Sequence, residues 1–137
     1  MRTQVLLLAL GSILLFVAGC GGSGNATVKG TVTFDNTPVD EGSISFFPEP
    51  GTESRKASAA IVNGAFEIPA ERGPTAGTFK IEISWMKKTG RKTPSADPGM
   101  GDLDERKEAI PVKYNSDSTL VRDIVAGANR LEFNLAP

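Results

Sequence analysis

Residues 78–86 read Thr-Phe-Lys-Ile-Glu-Ile-Ser-Trp-Met, and no other stretch of the chain limits its fold so tightly. Phe79, Ile81, Ile83 and Trp85 share one parity, while Thr78, Lys80, Glu82 and Ser84 take the other. Along a strand, a period of two puts the first set on one face and the second on the opposite face. Such a strand needs apolar cover on one side and water on the other, the demand of an antiparallel sheet with one wet face.

Shorter runs repeat the pattern. Val28, Val32 and Phe34, with Gly30 among them, oppose Lys29, Thr31 and Thr33. Residues 43–47 carry Ile44 and Phe46 on one face. Residues 57–62 and 65–68 flank Asn63-Gly64, the strongest short hairpin signal, because both turn residues must accept positive φ. Residues 120–125 resume a strand with apolar residues on both faces, and Leu131, Phe133 and Leu135 alternate at the end. Turn chemistry separates the runs at Asp35-Asn36-Thr37-Pro38, residues 73–77 and residues 126–129. No stretch holds a helical period with caps. About seven short strands at this spacing predict an all-β fold: a single antiparallel β-sandwich, Ig-like in strand number. Val32, Phe34, Ile44, Phe46, Phe66, Phe79, Ile81, Ile83, Leu131 and Phe133 are expected to form one core between two sheets. Residues 87–109 show no such pattern and are expected to be a long, mobile polar loop.

Ahead of these strands lies a different kind of sequence. Met1-Arg2 is followed by residues 5–16, uncharged and rich in leucine, a length that suits a signal segment and falls short of the ~20 residues of a membrane span. Val17-Ala18-Gly19-Cys20 then resembles the lipobox of bacterial lipoproteins: an aliphatic residue, two small residues and cysteine. The resemblance implies cleavage between Gly19 and Cys20 and acylation of the Cys20 sulfur, with two or more acyl chains giving stable anchoring. Cys20 is the only cysteine, so no disulfide can form within one chain. Residues 1–19 are thus expected to be a lipoprotein signal peptide. Residues 20–25, Cys-Gly-Gly-Ser-Gly-Asn, would be the lipidated cysteine and a flexible tether, and residues 26–137 the exported domain. Gly21 in place of aspartate, by resemblance to lipoprotein sorting rules, favours the outer membrane and a periplasm-facing domain.

Charge and composition narrow the function. Cleavage removes one of 15 basic residues, Arg2, and none of 16 acids, so the net charge passes from −1 to about −2. Neither sign dominates, which leaves no electrostatic case for nucleic acid. There is no histidine, so the commonest general base and metal ligand are missing. With the one thiol committed to lipid, the usual zinc ligands are gone as well. The expectation is a chain that is not an enzyme and carries no cofactor beyond its lipid.

Residues 28–32, Val-Lys-Gly-Thr-Val, then Pro38-Val39 and residues 42–46, Gly-Ser-Ile-Ser-Phe, resemble the opening of carboxypeptidase-regulatory-like domains. Gly64 with Phe66 and residues 77–81 resemble the middle strands of that family, and residues 110–115 and 129–135 resemble a subgroup of small exported lipoproteins bearing the domain. The resemblance covers most of residues 26–137. It implies a transthyretin-like β-sandwich with an accessory or structural role, and it carries over no catalytic residue. Transthyretin-like hydrolases rely on histidines that this chain lacks. The 87–109 segment has no counterpart in the resemblance.

Individual residues offer few candidate sites. Asp97, Asp102, Asp104, Glu105 and Glu108 crowd one segment with Gly99 and Gly101, but their spacing is not that of an EF-hand loop and nearby Lys92, Arg106 and Lys107 compete for them. That segment is expected to be solvated rather than a metal site. Trp85, in phase with its strand, is read as a core anchor rather than a sugar-stacking platform. Phe47 breaks the parity of Ile44 and Phe46 and, with Tyr114, is the candidate interaction surface. Tyr114 belongs to the turn into the next strand. The expected role is a membrane-anchored, non-catalytic module that is structural or binds an envelope protein or glycan. The alternative is a carbohydrate- or calcium-binding domain of a surface complex. Aromatics exposed in a groove would favour glycan, and a flat apolar patch would favour protein.

Overall fold

The computed structural model describes residues 24–137; the signal segment, its cleavage point, Cys20 and the first part of the tether lie outside the described residues. The described chain is all β apart from two single 3₁₀ turns, Ala70–Arg72 and Val112–Tyr114. Ten strands follow one another: β1 (Thr27–Phe34), β2 (Thr37–Pro38), β3 (Glu41–Pro48), β4 (Ala57–Val62), β5 (Ala65–Ile68), β6 (Gly77–Ser84), β7 (Met86–Thr93), β8 (Leu103–Glu108), β9 (Val121–Ile124) and β10 (Ala128–Leu135). Eight belong to one sheet with the path β10-β1-β5-β4-β3-β6-β9, β2 pairing β1 beside it; β7 and β8 form a separate two-stranded sheet.

Chain connectivity forces the large sheet to curl. Its ends, β9 and β10, are joined by residues 125–127, which reach about 14 Å at most. Seven strands laid flat would put those ends about 29 Å apart. The sheet therefore bends until its two end strands approach, and the Arg122 guanidinium of β9 lies 5.1 Å from the ring centre of Phe133 in β10. The sheet also opens at one seam. β4 and β5 pair only at Val62↔Ala65, beside a tight turn in which Asn63 and Gly64 take φ of 50° and 79°.

The curled interior collects the apolar parity of each strand. Phe79, Ile81 and Ile83 of β6 are buried, and so are Ile44 and Phe46 of β3, Val28 and Val32 of β1, Phe66 and Ile68 of β5, and Phe133 and Leu135 of β10. Four rings cross the curled interior: Phe79 meets Phe46 edge-on at 6.4 Å, Phe46 meets Phe66 at 6.2 Å, and Phe66 meets Phe133 at 6.2 Å. Gly30 makes room for this chain of rings. A Cβ there would lie 2.8 Å from the Phe66 ring and 2.2 Å from the Leu131 carbonyl oxygen, so the Phe66 ring occupies the place of the missing side chain.

Three expectations need correction. The sheet is not wholly antiparallel, because β1 and β10 run parallel over eight paired residues from Thr27↔Ala128 to Phe34↔Leu135. Residues of like parity still match across that pair, so the core face is unaffected. Phe34 and Leu131 are only partly buried and pack on the core from its margin. Finally, much of the 87–109 segment is not a loop: β7 and β8 pair antiparallel from Met86↔Glu108 to Thr93↔Leu103, with a bulge between Lys88 and Lys92.

Candidate functional site

Register fixes which end of the curled sheet carries which feature. β1 starts beside Pro74 and Gly127, whose carbonyls accept the Ala26 and Thr27 N–H groups, and Gly77 pairs Ile124 at that same end. At the other end Glu41 pairs Val62 and Ser43 pairs Ser84, and there the chain leaves β6 for the β7–β8 hairpin. The hairpin therefore projects from the end opposite residue 26. Its second strand, six residues long, sets its length at roughly 20 Å.

The root of this arm is a built polar junction. Trp85 closes the core at 3% exposure, and its indole N–H donates to Asp40 Oδ1 at 2.6 Å. That hydrogen bond, with a smaller contribution from the Glu41 backbone N–H, holds the Asp40 carboxyl below its ordinary value of 3.8 against the opposing effect of burial. Glu108, at the end of β8, accepts four hydrogen bonds. Oε1 takes the N–H groups of Trp85 and Ile110, both at 2.9 Å, and Oε2 takes Ser84 Oγ at 2.5 Å and Asn115 Nδ2 at 3.1 Å. The Trp85 carbonyl accepts from both Lys87 and Ala109. One carboxylate thus ties the end of β6, the end of β8 and the 3₁₀ turn before β9 into one joint. Arg106 adds an ion pair to Glu41 at 3.1 Å.

Beyond the root the arm has no core. Every residue of β7 is exposed, as are most of β8. A two-stranded hairpin is marginally stable alone. Here Asp104 sits between Lys88 and Lys92, 2.8 Å from each, and those ammonium groups, Lys88 first, draw its carboxyl down to about 2. Thr89 donates to Glu105. At the base of the arm, however, the register sets Lys87 opposite Lys107 and Lys88 opposite Arg106. Like charges directly opposite one another disfavour a hairpin. At about 5 Å in water each such pair costs below about 1 kcal/mol, and salt reduces it. Lys88 and Arg106 are compensated by Asp104 and Glu41, whereas Lys87, Arg91 and Lys107 have no ion-pair partner among the described residues. Lys87 instead lies 4.9 Å from the centre of the Trp85 ring.

Of the residues singled out in sequence, Phe47 is half-buried, its ring covered by the ammonium groups of Lys56 at 4.4 Å and Lys80 at 5.4 Å. Tyr114 ends the second 3₁₀ turn, partly buried against the core, and its hydroxyl accepts the Ala136 N–H at 3.4 Å. Phe47 lies beneath Lys56 and Lys80, whereas Tyr114 lies beside Lys113 and Ala136. The carboxylates of the 87–109 segment are spread along the arm, and no three possible metal ligands group together among the described residues. Sequence reasoning passed over the root itself. Its one sequence signal was a tryptophan at a strand end, whose indole N–H must find an acceptor when buried.

A second surface is an open groove of about 620 Å³ over β10, β1, β5 and β4, beside the seam. Thr31, Ala60, Ala65 and the exposed Val62 line it, with Lys29, Glu67, Arg130 and Glu132 around them. Phe66 contributes to its floor but is buried, so among the described residues no exposed aromatic stands in it. Compared with protein-family models, curated proteins and solved structures, the chain matches none.

Proposed function

We propose that this chain is an envelope lipoprotein whose β domain, tethered through a lipid on Cys20, is a non-catalytic interaction module that presents the β7–β8 arm to a protein partner. The observation that carries this reading is the placement of the arm. It leaves the domain at the end opposite residue 26, on a root of buried tryptophan and a fully engaged carboxylate, and it buries almost nothing of its own. Ordering a residue costs about 1–2 kcal/mol of backbone entropy, and the arm recovers little of that through burial. A segment that adds so little to the core has its use outside the domain. The absence of an exposed aromatic in the groove favours a protein over a glycan.

The finer architecture belongs to the same reading. The single β4–β5 pair at Val62↔Ala65 supports reading β10-β1-β5 and β4-β3-β6-β9 as the two layers of a sandwich. The carboxypeptidase-regulatory-like, transthyretin-like resemblance of residues 28–46 agrees with that. The leader and Gly21 favour the periplasmic face of the outer membrane.

Two measurements test the proposal. Mass spectrometry of the mature N-terminus should find an acylated Cys20; a free thiol, or residues 1–19 still attached, overturns the anchoring. Crosslinking in native envelopes should capture a partner through the arm. A chain with residues 88–106 replaced by Asn-Gly should melt close to the wild type and lose that crosslink. An unchanged crosslink pattern overturns the arm as the contact element.

A further inference from the structure

From the charge and register of the arm we infer that its partner presents an acidic, extended protein segment, which adds to the free edge of β7 as a third strand. This deepens the reading of the arm as an interaction element and rests on it. β7 carries four cations, Lys87, Lys88, Arg91 and Lys92, and no acid, while β8 holds three of the arm's carboxylates. Among the described residues β7 pairs with β8 alone, so on either side of the bulge between Lys88 and Lys92 its other edge offers backbone N–H and C=O groups to an incoming strand. Lys87 and Lys88 project to opposite faces, because successive side chains alternate. A segment laid along the edge therefore meets the unpaired Lys87 on one face and, on the other, Lys88 and Lys92 sharing the single Asp104 carboxylate, a net positive charge on each.

The like-charge pairs sharpen the choice of partner. Lys88↔Arg106 is compensated within the molecule by Asp104 and Glu41, but at the next step Lys87↔Lys107 has no ion-pair partner among the described residues, an arrangement that works against the hairpin by itself and is relieved by carboxylates from outside. Edge lysines ordinarily keep other strands away. Against a basic or neutral strand these would do so, and against an acidic one the same charges attract and select. A glycan has no peptide backbone to pair with the edge and finds no exposed aromatic on the arm to stack on. A lipid surface that holds the tether lies at the opposite end of the domain.

The test uses the full chain in neutral detergent micelles and a labelled peptide of alternating glutamate and threonine, eight to ten residues long. Binding should be seen by fluorescence anisotropy and should weaken steeply with salt. The exposed triple variant Lys87→Gln, Arg91→Gln, Lys107→Gln should bind at least tenfold more weakly, with its fold unchanged by circular dichroism. Amide exchange at alternate residues of β7 should slow in the complex. No binding, equal binding by the triple variant, or binding without slowed exchange in β7 overturns the inference. So does tighter binding to heparin or to anionic vesicles than to the peptide, which would assign the cations to a sulfated glycan or a lipid surface. If the crosslink in envelopes depends on the arm while the peptide fails to bind, the arm remains the contact element and only this account of its partner falls.

Discussion

The curled sheet and the arm are built from the same kind of strand and are held by opposite means. In the sheet, every long strand buries one face, and a chain of four phenylalanine rings crosses the interior from β6 to β10. In the arm, neither face is buried, and the two strands stay together through ladder hydrogen bonds, the Asp104 bridge and the joint at Trp85 and Glu108. Burial is worth about 25 cal/mol per Å², is not screened by salt and involves no titrating group. Exposed ion pairs are worth about 0–1 kcal/mol each and depend on both salt and pH. The two regions should therefore fail under different conditions.

The largest effect should come from the rings. Phe79→Ala, or Phe133→Ala, removes a side chain that is 0% or 1% exposed and leaves a cavity inside the curled sheet. The expected loss is about 3–5 kcal/mol in chemical denaturation, a large share of the roughly 5–15 kcal/mol typical of a domain. The arm's own ion pairs should be unaltered at temperatures where the variant is still folded. A variant that unfolds at the wild-type midpoint would mean that the rings are not packed as described.

This contrast also explains what could be read from sequence. Apolar alternation reports one-sided burial, so the strands around Ile44, Phe66, Phe79 and Phe133 were legible, and Asn63-Gly64 marked its hairpin because positive φ restricts residue choice. The arm gave no such signal, because a hairpin wet on both faces has nothing to alternate. Its traces are subtler: lysine and aspartate placed to meet across the ladder at Lys92↔Asp104, and a Pro- and Gly-rich stretch midway between two charged runs. The parallel pairing of β1 with β10 was illegible for another reason. Parity within one strand is the same whichever way its neighbour runs, and these two strands lie about a hundred residues apart. The root at Glu108 was hidden because four donors converge on it from Ser84, Trp85, Ile110 and Asn115, a meeting set by the fold. In sequence it was one acid among several in a charged stretch.

An intermediate effect should come from that root, where the two regions meet. Glu108→Ala leaves two backbone N–H groups and two side-chain donors without their acceptor at a half-buried site. An unsatisfied buried polar group costs about 1–3 kcal/mol, and water reaching the joint should hold the total near that range rather than at its multiple. Glu108→Gln keeps the shape but turns one acceptor into an NH₂ that faces donors, so it should recover only part of the loss. Amide exchange at Trp85 and Ile110 is the direct measurement. Protection unchanged in Glu108→Ala would show that the arm is not anchored through this carboxylate.

The smallest effect is the most diagnostic of the arm. Asp104 lies between Lys88 and Lys92, and its carboxyl is drawn from 3.8 to about 2. A depressed carboxylate contributes stability that is present above its unfolded value, about 3.9, and is lost as pH falls through the folded value. The window is therefore about pH 4 down to about pH 2, and across it the arm should loosen while the curled sheet, which relies on burial, keeps its core. Carboxyl chemical shifts of Asp104 should titrate with a midpoint near 2 at low ionic strength. Because the pair is exposed, high salt should move that midpoint back towards the ordinary range. Lys88→Gln should raise it more than Lys92→Gln, since Lys88 is the larger of the two influences. A low-salt midpoint near 3.9 would mean that Asp104 does not meet its lysines in solution. The arm would then lack the bridge that keeps β7 and β8 in register, and the cationic edge offered to a partner would not be preformed.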